Sequence, residues 1–129
     1  MMLGSFFFKH KARQALLGDG WEAEVPLHLT VPAEEDGLTL ELSGRMDAFR
    51  DGEVPVIEEI KLWQRREAPL APFPAHEMQA VCYGHMLMED RGLSRVLIRV
   101  AYVNRQGKLQ GQFAREMTRE ECREAEDAR

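Results

Sequence analysis

Three strand-like segments follow one another between Trp21 and Leu62, and the first two keep a two-residue period that commits this stretch to a sheet. In residues 21–31, Trp21, Ala23, Val25, Leu27, Leu29 and Val31 fall on one face, with Glu22, Glu24, His28 and Thr30 on the other. That is the alternation of a half-buried strand. Pro26 cannot donate to a ladder, which favours an edge position or a bulge. The polar, turn-rich segment Pro32 to Gly37 leads into a second strand, in which Leu38, Leu40 and Leu42 alternate with Thr39, Glu41 and Ser43. The two strands read as a hairpin. Gly44 to Phe49 continues the second strand, Asp51-Gly52 marks a turn, and Val54 to Leu62 reads as a third strand.

The rest of the chain alternates helix and strand. Residues 6–17 are predicted to be a helix, with Ser5 placed to cap it and Gly18 to end it. Residues 64–75 hold three prolines and no clear period, which makes them a loop. Residues 76–90 are predicted to be a helix, with Met78, Val81, Cys82, Met86 and Met88 contributing to its apolar face. A fourth strand is expected over 93–103, a turn at Arg105-Gln106-Gly107 and a short fifth strand near 108–115. Thr118-Arg119-Glu120-Glu121 has the spacing of a capping box opening a last helix. The expected fold is a single α/β domain over residues 1–129, a mixed-direction sheet flanked by helices.

Composition narrows the function. With 44% hydrophobic and 30% charged residues the chain has the make-up of a globular protein, not of a disordered one. Its net charge of −5 argues against binding nucleic acid by bulk charge alone. An enzyme whose cations are gathered in one cleft remains compatible, since local fields can oppose the net charge. Two cysteines without a CxxC fit a reducing compartment and cannot supply an all-cysteine zinc or iron–sulfur site. Met1 to Phe8 lacks the basic start and small-residue cleavage site of a signal peptide, and no apolar stretch is long enough to span a bilayer. The expected location is the cytoplasm, with no membrane partner.

One constellation carries chemistry. Asp47 lies near the end of the second strand, and Glu59 and Lys61 stand two apart on the third. That spacing puts Glu59 and Lys61 on one face, with Ile57, while Val56, Glu58 and Ile60 point the other way. Neighbouring strands are about 4.8 Å apart, so Asp47 can stand beside Glu59. Two close carboxylates repel unless a cation bridges them, and oxygen ligands suit Mg²⁺ or Mn²⁺. A nearby ammonium can orient a hydroxide nucleophile and soften developing phosphate charge. The bland alternatives are a turn aspartate at Asp47, a cross-strand pair at Glu59 and Lys61, and a simple i,i+4 contact between Gln79 and Tyr83. Unpaired charges on a largely buried strand are costly, which favours the metal site.

The ordered set Gly44-Arg45-Met46-Asp47, Glu59-Ile60-Lys61 and Gln79-Ala80-Val81-Cys82-Tyr83 resembles the RecB-like nucleases of the PD-(D/E)XK superfamily. The strings VIEEIKLWQRR…PAHEMQAVCYGHML and HKARQ…WEAEVPL look closest to the nuclease-like module of bacterial DinG-type helicases, and the resemblance spans roughly residues 10–115. It implies a restriction-endonuclease-like sheet in α-β-β-β-α-β order. It also implies Asp47, Glu59 and Lys61 as the catalytic set, and Mg²⁺ or Mn²⁺ held by Asp47, Glu59, the carbonyl of Ile60 and His10. DNA is the implied substrate, met by Gln79 and Tyr83, and a helicase domain or subunit is the implied partner; the cations Arg45 and Arg65 are expected as further DNA contacts. Arg65 and Arg66 extend the basic run after Lys61, for which a solvated loop is the plain alternative. His76, one turn before Gln79, either joins the cleft or simply begins the helix. The CRISPR-associated members of this branch use four cysteines for a cluster, which this chain does not have. Hydrolysis of DNA is therefore the expected function. A non-catalytic DNA-binding or assembly module for a helicase is the rival, and a hydrolase of another phosphate ester a third reading.

Overall fold

The computed structural model describes the backbone of residues 20–32 and 39–128 and the side chains of residues 20–27 and 44–128. The helix expected over 6–17, with His10, and most of the turn expected at Pro32 to Gly37 lie outside the described residues.

The described chain runs β1 (Trp21–Pro32), β2 (Thr39–Arg50), β3 (Val56–Leu62), α1 (Pro74–Arg91), β4 (Arg95–Val103), β5 (Leu109–Thr118) and α2 (Arg119–Asp127). The strands form one five-stranded sheet in the order β1-β2-β3-β4-β5. β1, β2 and β3 form an antiparallel meander, β3 and β4 are parallel, and β5 returns antiparallel to β4. This is the α/β architecture with a mixed sheet that the sequence pattern predicts. Pro26 sits on β1, an edge strand, where a missing donor is tolerated.

A parallel pair needs a crossover, and α1 supplies it between β3 and β4. The helix starts at Pro74, two residues before the expected start at His76. Proline suits the first turn because its absent N–H would have no partner there. Gly92 ends the helix at φ +67°, returning its N–H to the Met88 carbonyl. The capping box at α2 forms as expected: Glu121 N–H donates to Thr118 Oγ1 at 3.2 Å, and Thr118 N–H donates to Glu121 Oε1 at 3.0 Å. β5 reaches Thr118, three residues past the expected end near 115. Among the described residues no helix is long and apolar enough to cross a membrane.

α1 covers one face of the sheet. Val81, Leu87 and Met88 pack with Phe49, Ile57, Val96, Ile98, Val100 and Tyr102, all buried. α2 adds the fully buried Cys122, whose thiol pKa is pushed up to about 11, chiefly by burial.

The β1–β2 ribbon does not keep one face to this core. Arg91, in the last turn of α1, lies 4.6 Å over the Phe49 ring and 3.6 Å from the carboxylate of Glu22, the partner of Phe49 in register. Gly44 meets the Tyr83 ring and Met46 joins the core, so they too face α1. Positions 44, 46 and 49 cannot share a face of a regular strand. β2 therefore reverses its faces at Asp47–Ala48, and β1 reverses with it. Trp21 lies across the sheet, under the guanidinium groups of Arg50 and Arg99, each at 5.3 Å, while Val25 and Leu27 enter the core. The uniform face expected for Trp21, Val25 and Leu27 is corrected accordingly. Glu24 sits at the reversal with φ +52°, in the left-handed region. An L-residue there carries about 1–2 kcal/mol of strain.

On the face away from α1, Glu58 is fully buried. Arg99 donates to it from Nε at 2.9 Å and Nη2 at 3.3 Å, and Gln112 from Nε2 at 2.8 Å. Burial still raises its carboxyl pKa above the usual range, with Arg99 and Gln112 pulling the other way. The folded state thus holds the proton more tightly than the unfolded chain. The contribution of this group to stability is full below the ordinary glutamate range and is lost as pH rises through the raised value.

Two outcomes follow in denaturant unfolding. Arg99→Ala costs about 3–5 kcal/mol at neutral pH, because it strands a buried carboxylate. That loss shrinks as pH falls and Glu58 takes up its proton. Glu24→Gly is neutral or stabilising by up to about 1 kcal/mol, whereas glycine at a regular strand position costs about 0.5–1 kcal/mol. A loss of that size at position 24 rules out a strained backbone there.

Candidate functional site

The reversal in β2 opens the site. β2 and β3 pair only over Ala48–Arg50 with Val56–Glu58. The next facing residues in that register are Asp47 and Glu59. There the backbone ladder hands over to side chains. Ile60 N–H donates to Asp47 Oδ2 at 2.8 Å, and Asp47 N–H donates to Glu59 Oε1 at 3.3 Å. Each carboxylate therefore accepts a backbone donor of the neighbouring strand. Both are buried, Asp47 at 7% and Glu59 at 2% exposure. Buried carboxylates are stable only with donors or cations around them, and backbone N–H groups supply part of that need here.

In a strand, the N–H and C=O of one residue leave on the same edge. Ile60 turns its N–H toward Asp47, so its carbonyl also leaves on the β2 side. Asp47, Glu59 and the Ile60 carbonyl are thus oxygen donors on adjoining strands, a donor type that suits Mg²⁺ or Mn²⁺ better than a soft metal. Among the described residues, no group of three or more His, Cys, Asp and Glu side chains converges as a metal cage. His10 lies outside the described residues.

Lys61 shares the face of Glu59, as the spacing predicts, and reaches α1. Its Nζ donates to Gln79 Oε1 at 2.6 Å, and Gln79 Nε2 donates to the Tyr83 hydroxyl at 3.2 Å. Gln79 and Tyr83 are one helical turn apart, so a single face of α1 holds the lysine. Tyr83 in turn lies against β2. A Cβ on Gly44 would come within 2.5 Å of Tyr83 Cε1, so the glycine of the Gly-Arg-x-Asp motif makes room for the tyrosine of the helix motif. The two motifs touch through that ring.

His76 stands a turn before Gln79. Phe73 N–H donates to the Tyr102 hydroxyl at 2.9 Å, and His76 Nδ1 shares a hydrogen bond with the same hydroxyl at 2.8 Å. The His76 pKa is lowered first by burial and then by the Lys61 ammonium, in keeping with a neutral ring. His76 therefore does more than begin the helix. Its pattern signal was only the spacing to Gln79, and its hydroxyl partner Tyr102 gave no signal at all.

Two expected residues stand apart from this cluster. Arg45 is exposed, and its strand neighbours Gly44 and Met46 face α1, so its side chain leaves on the opposite side from Gln79 and Tyr83. Arg65 is exposed in the loop after β3, where its guanidinium lies 5.3 Å from the Trp63 ring and 5.4 Å from the Phe73 ring.

No protein-family model and no curated protein matches this chain. Among solved structures it is similar to the crystal structure of SSO0001, with a TM-score of 0.62 at 20% identity over 98% of this chain and 57% of that one. The chain thus spans a little over half the length of that structure, and the likeness is one of fold.

The Gly44–Tyr83 contact gives a direct test. Gly44→Ala forces the ring aside and costs about 1–3 kcal/mol in urea unfolding, the usual range for overpacking. Tyr83→Leu in the same background recovers part of that loss if the ring is the obstacle. Additive losses in the double variant show that it is not.

Proposed function

We propose that this protein is a metal-dependent nuclease of the RecB-like branch of the PD-(D/E)XK superfamily, with a restriction-endonuclease-like sheet, hydrolysing phosphodiester bonds in DNA. The observation that supports this reading above others is the meeting of three sequence motifs at one place. The Asp47 and Glu59 carboxylates interlock across β2 and β3, and Lys61, on the same strand face as Glu59, is fixed by Gln79 and Tyr83. A plain strand face has no need for two buried carboxylates and an oriented ammonium.

In this reading Asp47, Glu59 and the Ile60 carbonyl would hold Mg²⁺ or Mn²⁺. Such an ion, when bound, lowers the pKa of a water and neutralises phosphate oxygens. The chain supplies the rest. The hydrogen bond from Ile60 N–H fixes the Asp47 carboxylate before substrate arrives, so little reorganisation is needed. Gln79 restrains the Lys61 ammonium in one position, from which it orients the attacking oxygen and offsets developing charge on the phosphate. Gln79 and Tyr83 line the helix side of the cleft and steady the strand.

The test is cleavage of single- and double-stranded DNA with Mg²⁺ or Mn²⁺. Lys61→Ala should lower kcat by about 10²–10³-fold with affinity for DNA largely kept. Asp47→Asn should abolish both cleavage and the calorimetric signal of Mn²⁺ binding. A folded protein that cuts neither substrate and binds no metal refutes the reading. Indifference of every measured activity to Lys61→Ala supports a non-catalytic binding module instead.

A further inference from the structure

The sheet has two edges, β1 and β5, and they are not alike. Exposed strand edges invite pairing with another chain, and proteins blunt them with proline, bulges and charge. β1 is blunted: Pro26 lacks a donor, and Glu24 breaks the strand at φ +52°. β5 carries neither device. Leu109–Thr118 holds no proline, and none of its residues takes a positive φ. From Gly111 to Thr118 its register against β4 is unbroken.

The ladder shows which groups the free edge offers. Leu97 N–H donates to the Pro55 carbonyl at 2.8 Å, so Leu97 turns its main chain toward β3. The N–H and C=O of a strand residue leave on one edge. Glu116, which faces Leu97 in register, is therefore not bonded to it and turns both groups outward. The two-residue period adds Ala114 and Gln112. All three residues are exposed, and among the described residues no other element bonds to their main chain. On the α1 face, just inside this edge, lies a groove of about 430 Å³. Ile98, Val100 and Phe113 floor it, with Glu77 on its α1 wall and Arg115 on its β5 wall. Neither the Glu77 carboxylate nor the Arg115 guanidinium has an ion-pair partner among the described residues.

We infer that β5 pairs antiparallel with β5 of a second copy of this chain, about a two-fold axis at Ala114, joining the two sheets into one. Main-chain bonds supply the affinity of such a strand addition and side chains its register. Outward groups must meet outward groups. Ala114 then faces the partner's Ala114, and Gln112 faces the partner's Glu116, an amide against a carboxylate. On the α1 face Phe113 lies opposite the partner's Arg115. The stem of that arginine covers the ring, and its guanidinium reaches toward the Glu77 carboxylate in the groove. A shift of two residues one way sets Arg115 against the partner's Arg115, like charges face to face. A shift the other way brings in Gln110, which the irregularity between Tyr102 and Val103 takes out of the ladder. Because β1 is blunted, each copy has one free edge, and pairing closes at two copies. The contact is separate from the proposed nuclease cleft, which lies between β2 and β3, and holds or fails without it.

Sedimentation velocity on the full chain, from about 1 μM to about 0.2 mM, tests the pairing. The mass should rise from one chain to two and no further. Ala114→Pro removes the N–H at the axis without touching the β4 ladder, and should weaken the dimer about 30-fold through the loss of two hydrogen bonds. Ala114→Thr keeps the N–H and should leave the dimer unchanged. Arg115→Glu should weaken it about tenfold. Adding Glu77→Arg should restore it, because the exchanged charges meet again across the axis. Thermal unfolding shows whether each variant keeps the fold; if Ala114→Pro does not, the charge exchange decides alone. A chain that stays single at the highest concentration, a mass that grows past two copies, a dimer indifferent to folded Ala114→Pro, or an exchange that restores nothing each overturns the proposal.

Discussion

The hydrogen bond from Ile60 N–H to the Asp47 carboxylate holds the two halves of this sheet together at the point where their backbones part. β2 and β3 share only three facing residue pairs. A fourth would place Asp47 and Glu59 opposite each other with ordinary backbone bonds. The β1–β2 ribbon instead reverses its faces there, at the cost of a left-handed Glu24. A reversal in mid-sheet leaves backbone donors without ladder partners, and buried donors cannot stay so. Asp47 and Glu59 accept two of them. The carboxylates are thus part of how the sheet survives its own bend, and the bend is what brings them to one place.

β3 carries Glu58 and Glu59 side by side, and the two are settled by different means. Glu58 faces away from α1 and meets a guanidinium and an amide, a complete ion pair that yet leaves its pKa raised. Glu59 faces α1 and meets a backbone N–H across the gap, with Asp47 beside it. An ion pair closes the chemistry of the first carboxylate, since Arg99 is committed to it. Asp47 and Glu59 each accept a different backbone donor of the neighbouring strand, so main-chain N–H groups take part in stabilising both carboxylates. Neighbouring residues of one strand thus settle their charges on opposite faces, one against side chains and one against backbone.

Much of this was legible in sequence. Elements with a clear period or a cap, such as the β1–β2 hairpin, the Glu59/Lys61 face and the Thr118 capping box, form where their residues indicate. The identity of period and face failed at one point. Trp21, Val25 and Leu27 keep perfect alternation, yet Trp21 lies across the sheet from the others. Alternation records parity within a strand and is blind to a backbone reversal between two residues of the same parity. Glu24 has no feature that marks a left-handed conformation, unlike glycine or asparagine. The helix start at Pro74 was hidden for a related reason, since a run of prolines reads as loop even where the last of them opens a helix. The Tyr102–His76–Phe73 contacts join β4 to residues 26 or more positions away in the chain, and only the crossover creates that proximity.

The crossover has a consequence beyond topology. Had β4 run antiparallel to β3, the segments after the two strands would lie at opposite ends of the sheet. Parallel pairing sends both to one end, and α1 must begin there too, because it connects that end back to the start of β4. One geometric requirement therefore assembles the end of β3 with Lys61, the basic 63–73 loop, the Arg105 turn and the first two turns of α1 with His76 and Gln79. An acidic chain that met a polyanion over its whole surface would repel it. Arg65, Arg66 and Arg105 stand exposed at this one end, so the positive charge that the crossover gathers there is local and does not depend on the sign of the whole chain.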